Sequence, residues 1–210
     1  LSQPKLDGSA LSIEYRMGRL VRAATRGSGE RGEDVTRNAR KIANIPDRLP
    51  LPFDVHVRGE VVMPLDVFES KYRDVSPNPR NLAAGALRQK YEDGKADAAD
   101  LVFQAYDAQL PSGSDRHPDS QAAPLCLNDT ELLIWLEHDL GIQPAPWVLH
   151  EGDSPADTAT LMSSHTAEWA KQRSDYAYEI DGVVFKLDNL AQRERLGMTA
   201  HQPRWAHARK

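Results

Sequence analysis

With 210 residues, 40% of them hydrophobic and 27% charged, the chain has apolar material for one substantial core, or for a large and a small one. Its formal net charge of -5 argues against a strong, delocalised grip on nucleic acid, because phosphate neutralisation needs clustered Lys and Arg, and any DNA contact must be local. A single cysteine, Cys126, excludes a disulfide framework or a four-cysteine zinc site within these residues and is expected to be a small core side chain. No apolar run approaches membrane-spanning length and no charged-then-apolar leader precedes Lys5, so a reducing, cytoplasmic setting without a membrane partner is expected.

In chain order, Ala10 to Arg26 alternates Leu11, Ile13 and Tyr15, breaks at Arg16-Met17-Gly18-Arg19 and resumes at Leu20 and Val21, which predicts a β-hairpin. A glycine-rich loop, Gly27 to Gly32, leads into Asp34 to Asn44, where Val35, Ala39 and Ile42 recur at helical spacing and Pro46 marks the exit. Phe53 to Met63 is the clearest strand. Phe53, Val55, Val57, Gly59 and Val61 share one face, while His56, Arg58 and Glu60 share the other and are free for polar work. Pro79 to Gln89 reads as a helix with Arg80, Ala84 and Arg88 along one stripe. Leu101 to Ala108 is a further strand, and the Pro-, Ser- and Asp-rich stretch from Leu110 to Asp129 is a loop. Asp129 or Thr130 is expected to cap a helix through Leu132, Leu133, Leu136 and Leu140, with a short strand around Trp147 after it. Asp153 or Ser154 caps the next helix, through Leu161, His165 and Trp169. Ile180 to Lys186 and Pro203 to Lys210 return to strand around a short helix, Leu190 to Leu196. This irregular mixture, without an internal repeat, predicts an α+β fold with antiparallel sheets flanked by helices.

Chemistry concentrates at the two ends. Lys5-Leu6-Asp7-Gly8 pairs a lysine with an Asp-Gly dipeptide, and Glu179-Ile180-Asp181-Gly182-Val183-Val184-Phe185-Lys186 and the terminal Lys210 supply further cations. A lysine amine attacks phosphorus only when neutral, and its reference pKa of about 10.4 opposes that near neutral pH; nearby cations disfavour the ammonium form and also neutralise phosphate. Taken alone, Lys-x-Asp-Gly reads more readily as a surface turn than as a catalytic motif. Gly27-Ser28-Gly29-Glu30-Arg31-Gly32 matches Gly-x-Gly-x-x-Gly, but the nearest acids, Asp47 and Asp54, flank a proline-rich turn at the start of the next strand. A dinucleotide fold needs its acid at the end of a parallel strand, so that reading is disfavoured.

Six strings in order resemble the adenylation domain of bacterial NAD-dependent DNA ligases. They are Lys5-Leu6-Asp7-Gly8; Ala24-Thr25-Arg26-Gly27 with Gly32-Glu33-Asp34-Val35-Thr36; Val57-Arg58-Gly59-Glu60-Val61; Asn78-Pro79-Arg80-Asn81 with Leu87-Arg88-Gln89; Asp181-Gly182-Val183-Val184; and Pro203-Arg204-Trp205-Ala206. The resemblance covers residues 1–210 as one covalent nucleotidyltransferase domain. It implies that Lys5 becomes lysyl-AMP at the expense of NAD, with Asp7, Asp181, Lys186 and Lys210 as further catalytic residues. It implies that Glu60 holds the ribose, that Tyr106 and Val184 enclose adenine with Gln3 at its edge, and that Arg26, Lys186 and Lys210 meet phosphate. By strict alternation Asp181 faces away from Gly182, Val184 and Lys186, so its place in the site rests on the resemblance alone and needs a bulge or a second role. Arg80 and Arg88 are candidates for nucleotide or DNA phosphates, and Mg²⁺ or Mn²⁺ is expected through water near Asp7 and Glu60.

Gln3 stands where the family usually has glutamate, Ser76-Pro77 where it has Phe-Ala, His201 where it has arginine and Arg209 where it has an aromatic residue. The family's N-terminal module for nicotinamide mononucleotide and its oligonucleotide-binding, zinc, helix-hairpin-helix and BRCT regions lie outside residues 1–210, so a domain fragment is expected. The implied partners are nicked double-stranded DNA and the other ligase domains, with the chain monomeric and active in repair and replication at the bacterial nucleoid. Two alternatives remain open: an ATP- or GTP-using nucleotidyltransferase, and a catalytically silent nucleotide- or DNA-binding module. The silent module would be expected to lose the lysine or Glu60, and both are present.

Overall fold

Period-two alternation builds two antiparallel sheets in the computed structural model, which describes residues 1–26, 32–91, 94–111, 117–122, 126–199 and 202–210. The strands are β1 (Ser2–Leu6), β2 (Ser9–Arg16), β3 (Arg19–Thr25), β4 (Val55–Val62), β5 (Val102–Gln109), β6 (Ile180–Lys186) and β7 (Ala206–Arg209). One sheet has the order β3-β2-β4-β5 and the other β1-β6-β7. All five ladders are antiparallel, which leaves no strand-helix-strand crossover for a dinucleotide fold among the described residues. Residues 27–31 of the glycine-rich loop, and His201, lie outside the described residues.

The predicted hairpin is β2 and β3. Its turn holds Met17 at φ 48, and the Met17 N–H donates to Asp54 Oδ1 at 2.7 Å. Leu11, Ile13 and Tyr15 of β2 and Val55, Val57 and Val61 of β4 are buried on one face, each contributing on the order of 1.5–3 kcal/mol through removal from water. They meet α1 (Thr36–Ala39), α3 (Pro79–Arg88) and α4 (Asp129–His138), while α2 (Leu65–Val67) continues into a π-helical turn, Phe68–Tyr72. A smaller core joins the sheets. There α5 (Pro155–Gln172) sets Trp169 against Leu6, Val62, Ile180, Val183 and Phe185, and α6 (Leu190–Leu196) follows β6.

Several expectations need correction. The helix expected over Asp34 to Asn44 contracts to Thr36–Ala39, and beyond it the backbone continues in three-residue turns, with the Lys41, Ile42 and Ile45 N–H groups donating to the Asn38, Ala39 and Ile42 carbonyls. Asp34 Oδ1 accepts the Thr36 N–H, and the Asn38 amide donates to the Leu87 and Gln89 carbonyls. The cap of α4 is Asn128, in a capping box with Glu131, and neither Asp129 nor Thr130 fills that position. The strand expected at Trp147 is a single bridge between Ser2 and Val148, since Pro144 and Pro146 deny the ladder two donors. β1 is a further strand, in which Pro4 at the middle hides the period-two pattern from the sequence. Cys126 is half-buried against the main core, and burial pushes its thiol up.

Candidate active site

Asp7 and Gly8 carry the chain from the three-stranded sheet into the four-stranded one, and the site forms at that crossing. A Cβ on Gly8 would lie 2.2 Å from the Val61 carbonyl oxygen, so the close passage of the β1–β2 junction over β4 demands glycine. Ala10 faces Glu60 across the β2–β4 ladder, and the Gly8 N–H donates to the Glu60 carboxyl. Burial pushes Glu60 up to about 7, against the opposing pull of Arg80 and Lys5. Glu60 is therefore no solvated partner of Arg58, which is occupied by Gln109 at 3.0 Å and Asp107 at 3.7 Å.

Asp181 reaches the site through a bulge. Lys5 pairs with Gly182 while Leu6 pairs with Ile180, leaving Asp181 as the extra residue that escapes strict alternation. Lys5 Nζ lies 2.5 Å from its Oδ1 and Lys210 Nζ 3.0 Å from its Oδ2. Partial burial of Asp181 disfavours its charge, yet the bonds from the two lysines hold it below its ordinary range. A Cβ on Gly182, whose φ is +157, would fall 2.0 Å from the Arg209 carbonyl oxygen. Glycine thus lets β7 bring Lys210 close. A second bulge sits at the other expected contact: Gly59 pairs with Ala105 and Arg58 with Asp107, so Tyr106 is the extra residue of β5. Burial, reinforced by Glu60, pushes its phenol up to about 12, and Arg26 is close enough to oppose that shift. Across β1 and β6, Gln3 sits opposite Val184 on the face of Lys5 and Gly182. Gln3 is buried and its amide donates to the Ala145 carbonyl at 3.2 Å.

The Asn78-Pro79-Arg80-Asn81 string is a helix start. Asn78 Oδ1 accepts the Asn81 N–H at 2.8 Å and proline fills the first turn. Ser76, one of the departures, donates its hydroxyl to the Asn78 carbonyl. With Leu82, Ala83, Ala86 and Leu87 buried, Arg80 turns to the crossing, where Nη1 lies 2.6 Å from Asp7 Oδ1. Arg88 stands apart, 3.8 Å from Glu33. Arg209 at the end of β7 contacts Ser163 on α5 at 3.4 Å.

Lys186 is also apart from the Lys5 cluster. Its amine is buried, 2.6 Å from Asp129 Oδ2 and donating to the Tyr106 carbonyl at 2.8 Å. Burial lowers its pKa and Asp129 opposes that. Arg193 Nη1 donates to Asp129 Oδ1 at 2.9 Å, while the contacts at Oδ2 are close but poorly directed as hydrogen bonds. Asp129 and Arg193, which hold Lys186 and each other, and the pairing of Arg58 with Asp107 are contacts that sequence reasoning missed. Asp129 sits 64 residues from Arg193 with no local signal, and its place at a helix start suggested a cap. Lys5, Asp7, Glu60, Arg80, Asp181 and Lys210 thus converge at one sheet crossing, Gln3, Val184 and Tyr106 flank it, and Lys186 lies behind Tyr106.

The family described as NAD-dependent DNA ligase adenylation domain matches residues 1–210. A DNA ligase of Synechococcus sp. is 42% identical over 220 residues, covering 98% of this chain and 29% of that protein. One of Rhizobium etli is 40% identical over 219 residues, covering 100% and 28%, and one of Shouchella clausii is 38% identical over 215 residues, covering 98% and 29%. The chain spans under a third of the length of these relatives. A match over all 210 residues, with relatives near 40% identity and the lysine set at a sheet crossing, leads to one assignment: the chain belongs to the family of NAD-dependent DNA ligase adenylation domains.

Proposed function

We propose that these residues perform the lysine-adenylation chemistry of an NAD-dependent DNA ligase. The observation that carries this reading is the Lys5–Asp181–Lys210 cluster, held by one bulge and facing Glu60 across the sheet crossing. Lys5 Nζ attacks the α-phosphorus of NAD. An N–P bond forms, the P–O bond to nicotinamide mononucleotide breaks, and the leaving group departs with the electron pair. Lys5 is 30% exposed, which gives its proton a route to water. Asp181, kept ionised by the two lysines, orients both amines. Glu60 takes the ribose hydroxyls, Tyr106 and Val184 enclose adenine, Gln3 lies at its edge, and Arg26, Lys186 and Lys210 balance phosphate charge. AMP then passes to the 5′-phosphate of a DNA nick, near Arg80 and Arg88, and the 3′-hydroxyl closes the nick with release of AMP.

Among the described residues no group of three His, Cys, Asp or Glu forms a ready metal site, and Asp7 Oδ1 is engaged by Arg80. That donor set fits a hydrated Mg²⁺ or Mn²⁺ carried mainly by phosphates, with Asp7 and Glu60 meeting its waters; such an ion would supply charge neutralisation. Nicked double-stranded DNA and the remaining ligase domains are the proposed partners of a monomeric chain, in bacterial cytoplasm at the nucleoid, in repair and replication. No described helix is long and apolar enough to cross a membrane.

Prolonged incubation with NAD, ATP or GTP and Mg²⁺, followed by intact mass measurement and peptide mapping, tests the reading. An AMP adduct on Lys5 from NAD alone is expected. An adduct from ATP or GTP would favour the rival nucleotide class, and neither adduct nor AMP binding would favour the silent module.

A further inference from the structure

α5 is an 18-residue helix with a single buried side chain, Trp169, so little apolar contact holds it on the three-stranded sheet. His165, one turn before Trp169, accepts the indole N–H with its Nε2. An indole nitrogen only donates, so that Nε2 carries no proton and the docked His165 is neutral. Its ring meets His150 edge-on with centres 4.5 Å apart, and the two rings lie 6.3 and 6.1 Å from Phe185 of β6. His150 follows the bridge between Ser2 and Val148, and its Nε2 is 2.8 Å from the Ser2 hydroxyl of β1. The two imidazoles therefore join α5 to β1 and β6, the strands that bring Lys5 to Asp181. The charged groups around the pair give a proton little help. The Leu1 amine at the head of β1 opposes charge on His150, and Glu168 of α5 favours it on His165. From β7, Arg209 reaches Ser163, two residues from His165, and His207 stands opposite Phe185 in the ladder.

We infer that His150 and His165 form a proton-sensitive clasp: while both are neutral α5 is docked, and a proton taken up by the pair releases it. A proton on His165 Nε2 would point at the indole N–H and abolish their hydrogen bond, and a charge on either ring would be poorly solvated between the helix and Phe185. Burial lowers both imidazoles from their ordinary value, and His165 adds to this at His150. The docked state thus favours neutral rings. Its stabilisation is complete above the ordinary imidazole value of about 6.5 and is lost as the pH falls below it. Met162, Trp169 and Phe185 belong to the smaller core and not to the main one, so the release is local to α5.

Amide hydrogen exchange, resolved by residue and corrected for the intrinsic effect of pH, reads the docking of α5 directly. Protection of the α5 amides should fall from about pH 7.5 to about pH 5.5, on either side of the ordinary imidazole value, with a slope of up to about tenfold per pH unit, the limit for uptake of one proton. Amides of β2 and β4 should keep their protection over the same range. Glutamine retains a side-chain acceptor but does not titrate. The double variant His150→Gln, His165→Gln should therefore keep α5 protected at both pH values, with no slope. His165→Gln alone should flatten most of the slope, and it serves if the double variant does not fold. Trp169→Phe, which removes the indole N–H, should leave His165 easier to protonate and move its titration, followed by NMR of the imidazole, to higher pH. Three results would overturn the inference: α5 protection that does not change with pH in the native chain, an undiminished slope in the glutamine variants, or a parallel loss in β2 and β4 that marks global unfolding. An unmoved His165 titration in Trp169→Phe would equally remove the hydrogen bond on which the clasp depends.

Discussion

Lys5 and Asp181 show how one contact joins two parts of the chain that lie 176 residues apart. Lys5 is 30% exposed and makes no part of either apolar core, so Lys5→Ala should abolish the covalent adenylate and change stability by about 1 kcal/mol or less. Intact mass reads the first effect and denaturant unfolding the second; an adduct retained on the variant would move the nucleophile to another lysine. Glu60 offers a test that needs no substrate. Its carboxyl rises from 4.5 to about 7 on folding, mainly by burial, so the folded state favours the protonated form. That stabilisation is complete below pH 4.5 and is lost as the pH rises to 7, a change of up to about 3 kcal/mol at 1.36 kcal/mol per unit. Glu60→Gln cannot ionise. Relative to the native chain it should become progressively more stable between pH 4.5 and 7, with no further divergence above. Parallel stability curves across that window would show that Glu60 is not desolvated.

At the scale of elements, the two bulges decide the site, and they mark where the sequence stopped being legible. The hairpin, β4, α3 and α5 follow from period, caps and prolines, because local physics and tertiary packing agree there. The convergence of Lys5 with Asp181 does not follow from them, since a bulge reverses every alternation argument on its far side and leaves no composition signal except its glycine. The Asp129–Lys186–Arg193 group was hidden for a related reason: burial of charges depends on partners distant in the chain. Gly182 makes the bulge testable. A methyl group there must displace the Arg209 carbonyl, which lies 2.0 Å from its position, so β7 has to move away from β6. Gly182→Ala should destabilise the chain by roughly 1–3 kcal/mol and, more tellingly, should separate Lys210 from Asp181. A cross-linker spanning Lys210 and its neighbours, or adenylate transfer itself, should lose far more than stability does; unchanged transfer would mean that Lys210 needs no fixed strand.

For the whole molecule, the decisive fact is that the chain spans 28% to 30% of the length of its relatives. Every group proposed for adenine, ribose and the α-phosphate lies within residues 1–210, and none is assigned to nicotinamide mononucleotide. Catalysis of the first step depends on aligning that leaving group with the attacking lysine, and alignment is supplied by binding energy at the non-reacting part of the substrate. If that energy comes from residues elsewhere in the longer protein, residues 1–210 alone should react with NAD slowly while still binding AMP. Nick closure from DNA that already carries a 5′-adenylate bypasses the leaving group altogether. It should therefore suffer less than self-adenylation when the isolated chain is compared with the longer protein, each assayed with NAD and with pre-adenylated nicked DNA. The two proteins would then differ by a much larger factor in the first assay than in the second. Rapid self-adenylation by residues 1–210 would place the nicotinamide site within this domain, and the surfaces near Asp7 and Glu179, whose backbone carbonyl accepts the Asp7 N–H at 2.8 Å, would be the first place to look for it.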